Sequence, residues 1–568
     1  MAETLLSPGV LARETDQSFI QGQPVQAGAA IIGPAAKGPV GIPTLVTSFS
    51  EYNAIYGSDV TSGSQQYEYL TQTSANNYFS QGGTSLLVAR VQSGSFTGAI
   101  STAVSNSLDT SAFTLTTISE GGIMNSGIAT GSNQTLTDGT KDNVRWEVQG
   151  SNTSTGTFSL IIRRGDDNLR QKNPIQTFSN LSLDPQATNY ISKVIGDTSF
   201  SVEQDGTDYY VKTNGTYVNK SKYVRVSAVN TPTPNYFDND GIAKSAYTAS
   251  IPIAGSGSFT QATGTLFDGQ EAKWNDTIST TNIQGLAPTD YTESINLLSN
   301  KDEYRYNLIT VPGLNSTDHG VPVNLLVSTV ESRQDAIAVI DLTGYNKTVS
   351  AITTAASAFD SSYAATYWPW LQTLNTTSQT VWVPASTMIP GVYAFTDASS
   401  DAWFAPAGLT RGSLGNVIRA ERKLTSGNRD TLYTANVNPI ATFPGNGVVV
   451  FGQKTLQKRA SALDRVNVRR LLITLKNYIS QISDNLVFEQ NSIATRNSFL
   501  TQVNPYLESI QQRQGLYAFK VIMDETNNTA DVVDRNELVG QLYLQPTKTA
   551  EFIMLDFNVL PTGATFPA

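Results

Sequence analysis

The final stretch of the chain alternates apolar and polar residues, which is the pattern of a β-strand with one buried face. The apolar positions Ile553, Leu555, Phe557 and Val559 fall on one face of this predicted strand. A turn predicted at Gln545–Lys548 would let the first part of the strand pair with "ELVGQLYL" in the same chain. The residues that follow have no partner visible in the sequence. The pattern therefore leaves open whether the strand pairs within its own chain or with another copy.

Short apolar runs alternate with helical patterns in residues 23–96 and again in residues 286–460, which predicts an α/β core made in two parts. In the first part, Ser48 and Glu51 have the spacing of a helix capping box, and Gly57 ends the predicted helix. In the second part, the continuous apolar runs predict strands of a buried, mainly parallel sheet, among them "YNLITVPG", "DAIAVIDL" and "QTVWVPAS".

Residues 97–285 are rich in Ser, Thr, Gly and Asn, unlike the segments on either side. Alternating runs such as "FSLIIRR" and "YVRVSAV" predict strands, and Asp205-Gly206 predicts a hairpin turn. We interpret this segment as a β-rich insertion domain with a small core of its own.

Helical periodicity dominates the first half of residues 461–557 and then gives way to strand patterns. Pro505 lies within the second of two predicted helices. One face of the first helix is apolar, at Val468, Leu471, Leu472, Leu475, Ile479 and Ile482. The sequence therefore predicts an α+β C-terminal domain, with residues 1–22 and 558–568 as extended terminal arms.

The composition narrows the range of functions. The 568-residue chain has only 15% charged residues and a formal net charge of −10. An acidic chain is poorly suited to neutralising phosphates, so we expect no nucleic-acid partner. The chain has no cysteine, which excludes disulfides and thiolate sites. Neither a signal-peptide pattern nor a long apolar run occurs, so we expect a protein made in the cytoplasm with no membrane partner.

Three segments resemble chemical sites, and none has the complete pattern. His319, the single histidine, stands beside Asp318, but no nucleophile-elbow motif accompanies it. Residues Gly33–Val40 have the glycine spacing of a phosphate loop but lack its Lys-Ser/Thr pair. Residues Phe237–Ala243 lack the closing Glu of a calcium loop. We interpret all three as structural loops, and the sequence predicts no enzyme, metal or cofactor.

Several longer segments occur in a fixed order. They are "LLSPGVLARETD" and "AAIIGPAAKGPVGIPTLVTSFSEYNAIYG" in the first half, then "YWPWL", "VWVPASTMIPGVYAFTDASSDAWFAPAG", "VNVRRLL", "LVFEQN" and "DETNN" in the second. In these segments and their order, the chain resembles the tail sheath proteins of contractile-tailed, myovirus-type bacteriophages. It departs from that family at Asp401, where a glycine is usual, and at Lys454, where an arginine is usual.

The resemblance implies a structural subunit of the virion that is assembled in the host bacterial cytoplasm. Such subunits form hexameric rings stacked as a helix around a tail tube, and contraction drives the tube through the host envelope. The implied partners are further copies, the tail tube protein, and baseplate and tail terminator proteins. The implied fold has a subtilisin-like α/β core without protease activity, and the insertion domain faces outward.

The resemblance also implies particular contact residues. Terminal arms of this family add strands to neighbouring subunits, which assigns strand exchange to Leu5 and Val10 as well as to the four apolar residues of the closing strand. We further expect the tail tube to contact Arg469, Arg470 and Arg496, unless these arginines pair within the chain. Two alternatives to the phage sheath remain: the sheath of a phage-tail-like, bacteriocin-type injection system, and a subtilase-like hydrolase.

Overall fold

The computed structural model describes residues 25–62, 65–101, 104, 106–265 and 277–551. Both predicted arms lie outside these residues, as do Leu5, Val10 and the four apolar residues of the closing strand. In the part described, no helix is both long and apolar enough to span a membrane. The first segment contains β1 (Val25–Ala27), β2 (Ala29–Gly33), β3 (Thr44–Val46), α1 (Phe49–Tyr56), β4 (Val60–Ser62), β5 (Gln65–Tyr67), α2 (Leu70–Ser80) and β6 (Leu86–Arg90).

The helix N-cap predicted at Ser48 is confirmed, whereas the second bond of the predicted capping box goes to the residue before Ser48. The Ser48 hydroxyl accepts a hydrogen bond from the backbone N–H of Glu51, at 3.1 Å, and so satisfies one of the free donors at the start of α1. The Glu51 carboxylate reaches back to the N–H of Thr47, at 3.0 Å. Gly57 ends the helix with a positive φ of 77°, a conformation that glycine adopts without steric cost.

The next segment is mainly β-structure, as its composition predicts. It contains a 3₁₀ turn at Gly122–Met124 and β7 (Gly98–Ser101), β8 (Phe113–Glu120), β9 (Ala129–Thr130), β10 (Thr135–Leu136), β11 (Val144–Asn152), β12 (Thr157–Arg164), β13 (Pro174–Ser182), α3 (Ile191–Ile195), β14 (Ser199–Asp205), β15 (Asp208–Asn214), β16 (Val224–Val229), α4 (Ser245–Thr248) and β17 (Gly255–Ser258). Its sheets enclose a separate hydrophobic core that includes Phe113, Trp146, Phe158 and Phe259.

The central segment restores the alternation of strands and helices. After a 3₁₀ turn at Pro288–Tyr291 it contains α5 (Thr292–Leu297), β18 (Tyr304–Tyr306), β19 (Leu308–Asn315), α6 (Gly320–Arg333), β20 (Ile337–Asp341), α7 (Val349–Ala356), β21 (Ala364–Trp368), β22 (Leu371–Leu374), β23 (Thr380–Val383), α8 (Ala385–Ser399), α9 (Gly408–Arg411), β24 (Val417–Ala420), α10 (Ser426–Thr434), β25 (Asn438–Phe443) and β26 (Gly447–Val450).

The C-terminal segment pairs two long helices with a β-ribbon, which is the predicted α+β arrangement. Following a 3₁₀ turn at Ala462–Asp464 it contains α11 (Val466–Asp484), α12 (Ile493–Gln512), β27 (Leu516–Ile522), α13 (Ala530–Asp534) and β28 (Gln541–Pro546). The helices and the ribbon enclose a core that includes Leu475, Phe499, Val503 and Leu507.

One eight-stranded sheet unites the two α/β segments, in the order β26-β25-β21-β20-β19-β2-β6-β3. The pairs from β21 to β6 are parallel, as predicted. Pairing of Ile309 with Ala30 and of Thr310 with Ile31 joins β19 to β2 across the insertion. The strand predicted in "QTVWVPAS" lies in a separate antiparallel sheet, β23-β22-β24.

The large sheet buries a different core on each face, because alternate residues of a strand point in opposite directions. Ile31 faces one core and Ile32 faces the other. Helices α1, α2 and α8 cover the first face, whereas α5, α6, α7 and α10 cover the second.

The two ends of the insertion, at Thr97 and Thr263, lie side by side. The backbone N–H of Thr97 donates to the carbonyl of Thr263, at 3.2 Å, and the N–H of Thr263 donates to the Thr97 hydroxyl, at 2.9 Å. The core resumes before the predicted boundary at residue 285, because Ile283 is buried in it and the Gln284 side chain accepts from the N–H of Leu70 at 2.8 Å. In addition, the β14–β15 hairpin packs on the core through Val202, Tyr209 and Val211.

Replacing residues 98–262 with a short Gly/Ser linker should leave a folded α/β core, since the two ends of this segment are adjacent. We expect the free energy of unfolding to fall by about 1–3 kcal/mol, because the β14–β15 hairpin no longer covers its apolar site on the core. Circular dichroism melting measures this loss. The Tyr209→Ser variant of the full chain should reproduce part of it, whereas a shortened chain that does not fold would contradict the independence of the insertion.

Candidate functional site

His319 is a structural residue at the start of α6. Its Nδ1 accepts a hydrogen bond from the backbone N–H of Asn315, at 3.1 Å, and its Nε2 lies 2.7 Å from the carbonyl oxygen of Ser279, to which it donates. Burial lowers the pKa of His319, although the bond to Ser279 acts in the opposite direction. Both ring nitrogens are therefore occupied by backbone groups, and the chain's one imidazole is not available as a general base for a serine.

Replacing His319 with alanine should destabilise the protein by about 2 kcal/mol, because it leaves a buried N–H and a buried carbonyl without partners. Thermal melting measures the effect, and a fluorophosphonate label tests for hydrolase chemistry. We expect no labelling of either the wild type or the variant, and His319-dependent labelling would contradict the structural role.

Asp341 and Ser386 form a polar pair at the carboxyl end of the large sheet. This is where an α/β enzyme usually binds its ligand. Asp341 ends β20, and Ser386 stands in the first turn of α8. The Ser386 hydroxyl donates to one carboxylate oxygen of Asp341, and its backbone N–H donates to the other at 3.1 Å. Burial raises the pKa of Asp341 to about 7, although the two hydrogen bonds oppose this change. The pair joins a strand to a helix and has no imidazole to complete a triad.

The Asp341→Asn variant should remove a pH dependence of stability. A raised pKa means that the folded protein binds the proton more tightly than the unfolded chain does, so the stabilisation is complete below the ordinary value of 3.8 and is lost as pH rises through about 7. Between pH 3.8 and about pH 7, the free energy of unfolding of the wild type should fall by up to roughly 4 kcal/mol relative to that of the variant. Denaturant unfolding at pH 5 and pH 8 measures the difference, and parallel pH profiles would contradict the assignment.

The other two segments that resemble chemical sites, Gly33–Val40 and Phe237–Ala243, are loops. Lys37, in the segment Gly33–Val40, lies 3.5 Å from the Asp142 carboxylate and is buried with it. In Phe237–Ala243, the Asp238 carboxylate accepts from the backbone N–H groups of Asp240 and Ile242, which closes a tight turn. Among the described residues, no group of His, Asp and Glu side chains is arranged to hold a metal ion.

Two of the arginines predicted to contact the tube are buried inside the subunit. Arg470 donates to both carboxylate oxygens of Asp397, at 2.7 and 2.6 Å, and stacks on Tyr393. Arg469 donates to the carbonyl of Ser362, at 3.1 Å, and stacks on Tyr363. The alternative interpretation, that they pair within the chain, holds for both. They fasten α11 to the central domain and do not present a charged surface.

Arg496 occupies a different position, on α12. Its side chain is buried, and its Nε has no hydrogen-bond partner among the described residues. Its assignment to the tube contact remains a prediction.

Trp403 connects the central domain to the C-terminal helices. Its indole N–H donates to the carbonyl of Arg513, at 3.0 Å, and its own carbonyl accepts from the Asn467 side chain, at 3.2 Å. The Arg513 guanidinium stacks on the indole and lies 2.8 Å from the carboxylate of Asp401. Asp401, which stands where the family usually has glycine, thus contributes an ion pair to this junction.

The β27–β28 ribbon has one face on the helices and one toward solvent. Phe519 and Leu544 pack on the C-terminal core, whereas Tyr517 and Tyr543 are exposed. In the described residues, each of the two strands pairs only with the other, so the outer edge of each has no strand beside it. Unpaired edges of this kind accept further strands.

Beyond β28 the chain returns to the central domain as a short strap, residues 547–551. The Glu551 carboxylate accepts hydrogen bonds from Tyr433 at 2.6 Å, from Arg465 at 2.7 Å and from Gln453 at 3.1 Å. Burial raises the pKa of Glu551, but hydrogen bonds from the three donors outweigh that effect and hold it below the ordinary value. The strap is thus fixed at Glu551, the last residue that the structure describes.

None of these strap contacts was predicted from the sequence. Tyr433, Gln453 and Lys454 lie within the region that resembles the family, but no local pattern marks them as partners of a residue near the C-terminus. The one available signal is Glu551 itself, a carboxylate placed directly before the predicted closing strand.

These features describe a multidomain α/β protein in which buried polar residues join the domains. Residues 284–456 match the phage tail sheath protein central domain, and residues 459–560 match the phage tail sheath C-terminal domain. The chain therefore carries the central and C-terminal domains of a phage tail sheath protein.

Two relatives are named tail sheath protein. That of Vibrio phage KVP40 is 44% identical over 185 residues, and that of Enterobacteria phage T4 is 41% identical over 185 residues. Each alignment covers 33% of this chain and 28% of the relative, so the match spans under a third of either protein. The relatives are structural proteins, in agreement with the prediction that the chain is not an enzyme.

The fold is similar to a solved sheath protein over nearly the whole chain. The crystal structure of a sheath tail protein from Listeria innocua covers 92% of this chain and 95% of its own, with a TM-score of 0.52 and 11% identity. This similarity supports a mixed α/β, multidomain architecture of the sheath type.

Proposed function

We propose that this chain is the structural subunit of a contractile bacteriophage tail sheath. It polymerises as stacked hexameric rings around the tail tube and contracts to drive the tube through the host cell envelope for genome delivery. The observation that carries this proposal is the consecutive match of the central and C-terminal sheath domains, over residues 284–456 and 459–560. The subunit assembles in the host cytoplasm and becomes part of the virion.

The proposed contacts between subunits are made by the terminal arms. Leu5 and Val10 at one end, and Ile553 to Val559 at the other, supply the alternate apolar side chains of exchanged strands. The outer edges of β27 and β28 support this proposal, since main-chain groups at a sheet edge can accept a strand from a neighbour. Repetition of weak strand contacts around every ring gives avidity.

The remaining partners of the proposed sheath are the tail tube, the baseplate and the tail terminator. We propose Arg496 as the tube contact, since its Nε has no hydrogen-bond partner among the described residues. We also propose that the two-part core corresponds to the subtilisin-like core of the family and has a purely structural role. The His319 and Asp341 geometries support the absence of protease activity.

Deleting Met1–Ile20 or Asn558–Ala568 should give stable monomers that do not form long sheaths, because the first deletion removes Leu5 and Val10 and the second removes Val559 and the arm that follows it. Electron microscopy measures sheath length, and circular dichroism measures the melting temperature, which should stay near that of the wild type. The Val218→Ser variant, which changes an exposed residue of the insertion, is the control and should assemble normally.

Normal polymerisation of either truncated chain would contradict the role of that arm. A large fall in melting temperature would show instead that the deleted strand pairs within its own subunit. If the wild-type chain forms no sheath with or without tube protein, the proposed function is wrong.

A further inference from the structure

The chain passes between the central and C-terminal domains twice, and the two passages meet. It leaves the central domain at Arg465, the N-cap residue of α11, and it returns through the strap, residues 547–551. The Arg465 Nε donates to the Glu551 carboxylate at 2.7 Å, which ties the outgoing segment to the returning one. Arg465 also pairs with its neighbour Asp464, at 3.0 Å, so its orientation is fixed from both sides.

The strap is held from two further elements of the central domain. Tyr433, near the end of α10, donates to one oxygen of Glu551, and Gln453, which follows β26, donates to the other. The same Gln453 amide donates to the Thr549 hydroxyl, at 2.6 Å. Three donors from separate elements thus converge on one carboxylate. Charge-assisted hydrogen bonds of this kind are about twice as strong as neutral ones.

The donors are themselves held in place. Lys454 donates to the carbonyl of Tyr433, at 2.8 Å, and its ammonium group lies 4.4 Å from the centre of the phenol ring. The buried side chain of Asn438 in turn bonds both backbone groups of Lys454, at 2.6 and 2.7 Å. Asn438 is the first residue of β25. The hydrogen bonds that hold Glu551 are therefore connected, through Lys454 and Asn438, to the large sheet.

The strap itself is loosely packed. A cleft of about 600 Å³ separates it from the outgoing segment and is lined by Ser461, Asp464, Val468, Lys548 and Ala550. Lys548 and Ala550 are exposed. The C-terminal domain is attached independently, through Trp403 and through the pair formed by Arg470 and Asp397. The strap therefore depends mainly on the three hydrogen bonds to Glu551, with one more from Gln453 to Thr549, and it could detach while the domain stays folded.

We propose that Glu551 is a latch: a positioning residue that holds the strap on the central domain and so sets the direction in which the residues beyond it leave the subunit. The groups that face it are Arg465, Tyr433, Gln453, Lys454 and Asp464. In the sheath, a use that rests on the proposed function, the latch determines which neighbouring subunit the C-terminal arm reaches. Release would free the arm without unfolding the C-terminal domain.

Cleavage after Lys548 by a lysine-specific protease reports release of the strap. Residues 549–568 contain no lysine, so intact mass identifies this cut in the full-length protein. In the Glu551→Ala variant we expect cleavage at Lys548 at least tenfold faster than in the wild type, with an unchanged melting temperature. Glu551→Gln keeps an acceptor for Tyr433 but loses the charge, and it should be intermediate. Glu508→Gln removes an exposed carboxylate of the same domain and should match the wild type.

Assembly is measured on the same variants by electron microscopy. The Glu551→Ala sheaths should be shorter and less regular than those of the wild type, because the arm leaves in many directions. Cleavage at the wild-type rate would overturn the latch, and so would a large fall in melting temperature, which indicates a merely stabilising role. Fast cleavage together with normal sheaths would show that Glu551 holds the strap but does not position the C-terminal arm. If the wild type forms no sheath, the proposed function fails, while the cleavage rates still decide whether Glu551 holds the strap.

Discussion

The pairing of β2 with β19 is the contact on which the rest of the structure depends. These strands come from segments separated by the whole insertion, and their parallel register places Ile309 opposite Ala30. This pairing joins three strands of the first segment to five strands of the second, and both hydrophobic cores include residues from the two segments. Closing so long a loop has an entropic cost that rises only slowly with its length, and the burial of both sheet faces offsets it. The core can therefore accommodate a long insertion between two adjacent strands.

The polar residues in this core show how a structural protein uses groups that are catalytic elsewhere. His319 and Asp341 are each buried, and each is bonded mainly to groups that begin or precede a helix. Such bonds satisfy backbone donors that the ends of helices and strands leave free. A buried acid or imidazole is often taken as a sign of chemistry. Here the hydrogen-bond partners distinguish the two interpretations, because both nitrogens of His319 and both oxygens of Asp341 are bonded within the fold.

Much of the fold could be predicted because local residue patterns determine many of its helices and strands. The helix N-cap at Ser48, the parallel strands and the amphipathic α11 all follow from spacings within a few residues. The packing of the β14–β15 hairpin on the core could not be predicted, since Val202 and Tyr209 alternate as in any exposed hairpin. The contacts of the candidate site were harder to predict than the fold. Arg470 looks like a surface charge in the sequence, and its partner Asp397 lies on a different helix, which no periodicity indicates.

The position of Glu551 has a mechanical consequence. A pull on the residues beyond it reaches this side chain before it reaches β28. All three donors bond to this one carboxylate. Tension is thereby transferred through Tyr433, Gln453 and Arg465 into the central domain, and the two-stranded ribbon is shielded from it. A subunit built in this way can be pulled by its last residues while its C-terminal domain keeps its shape.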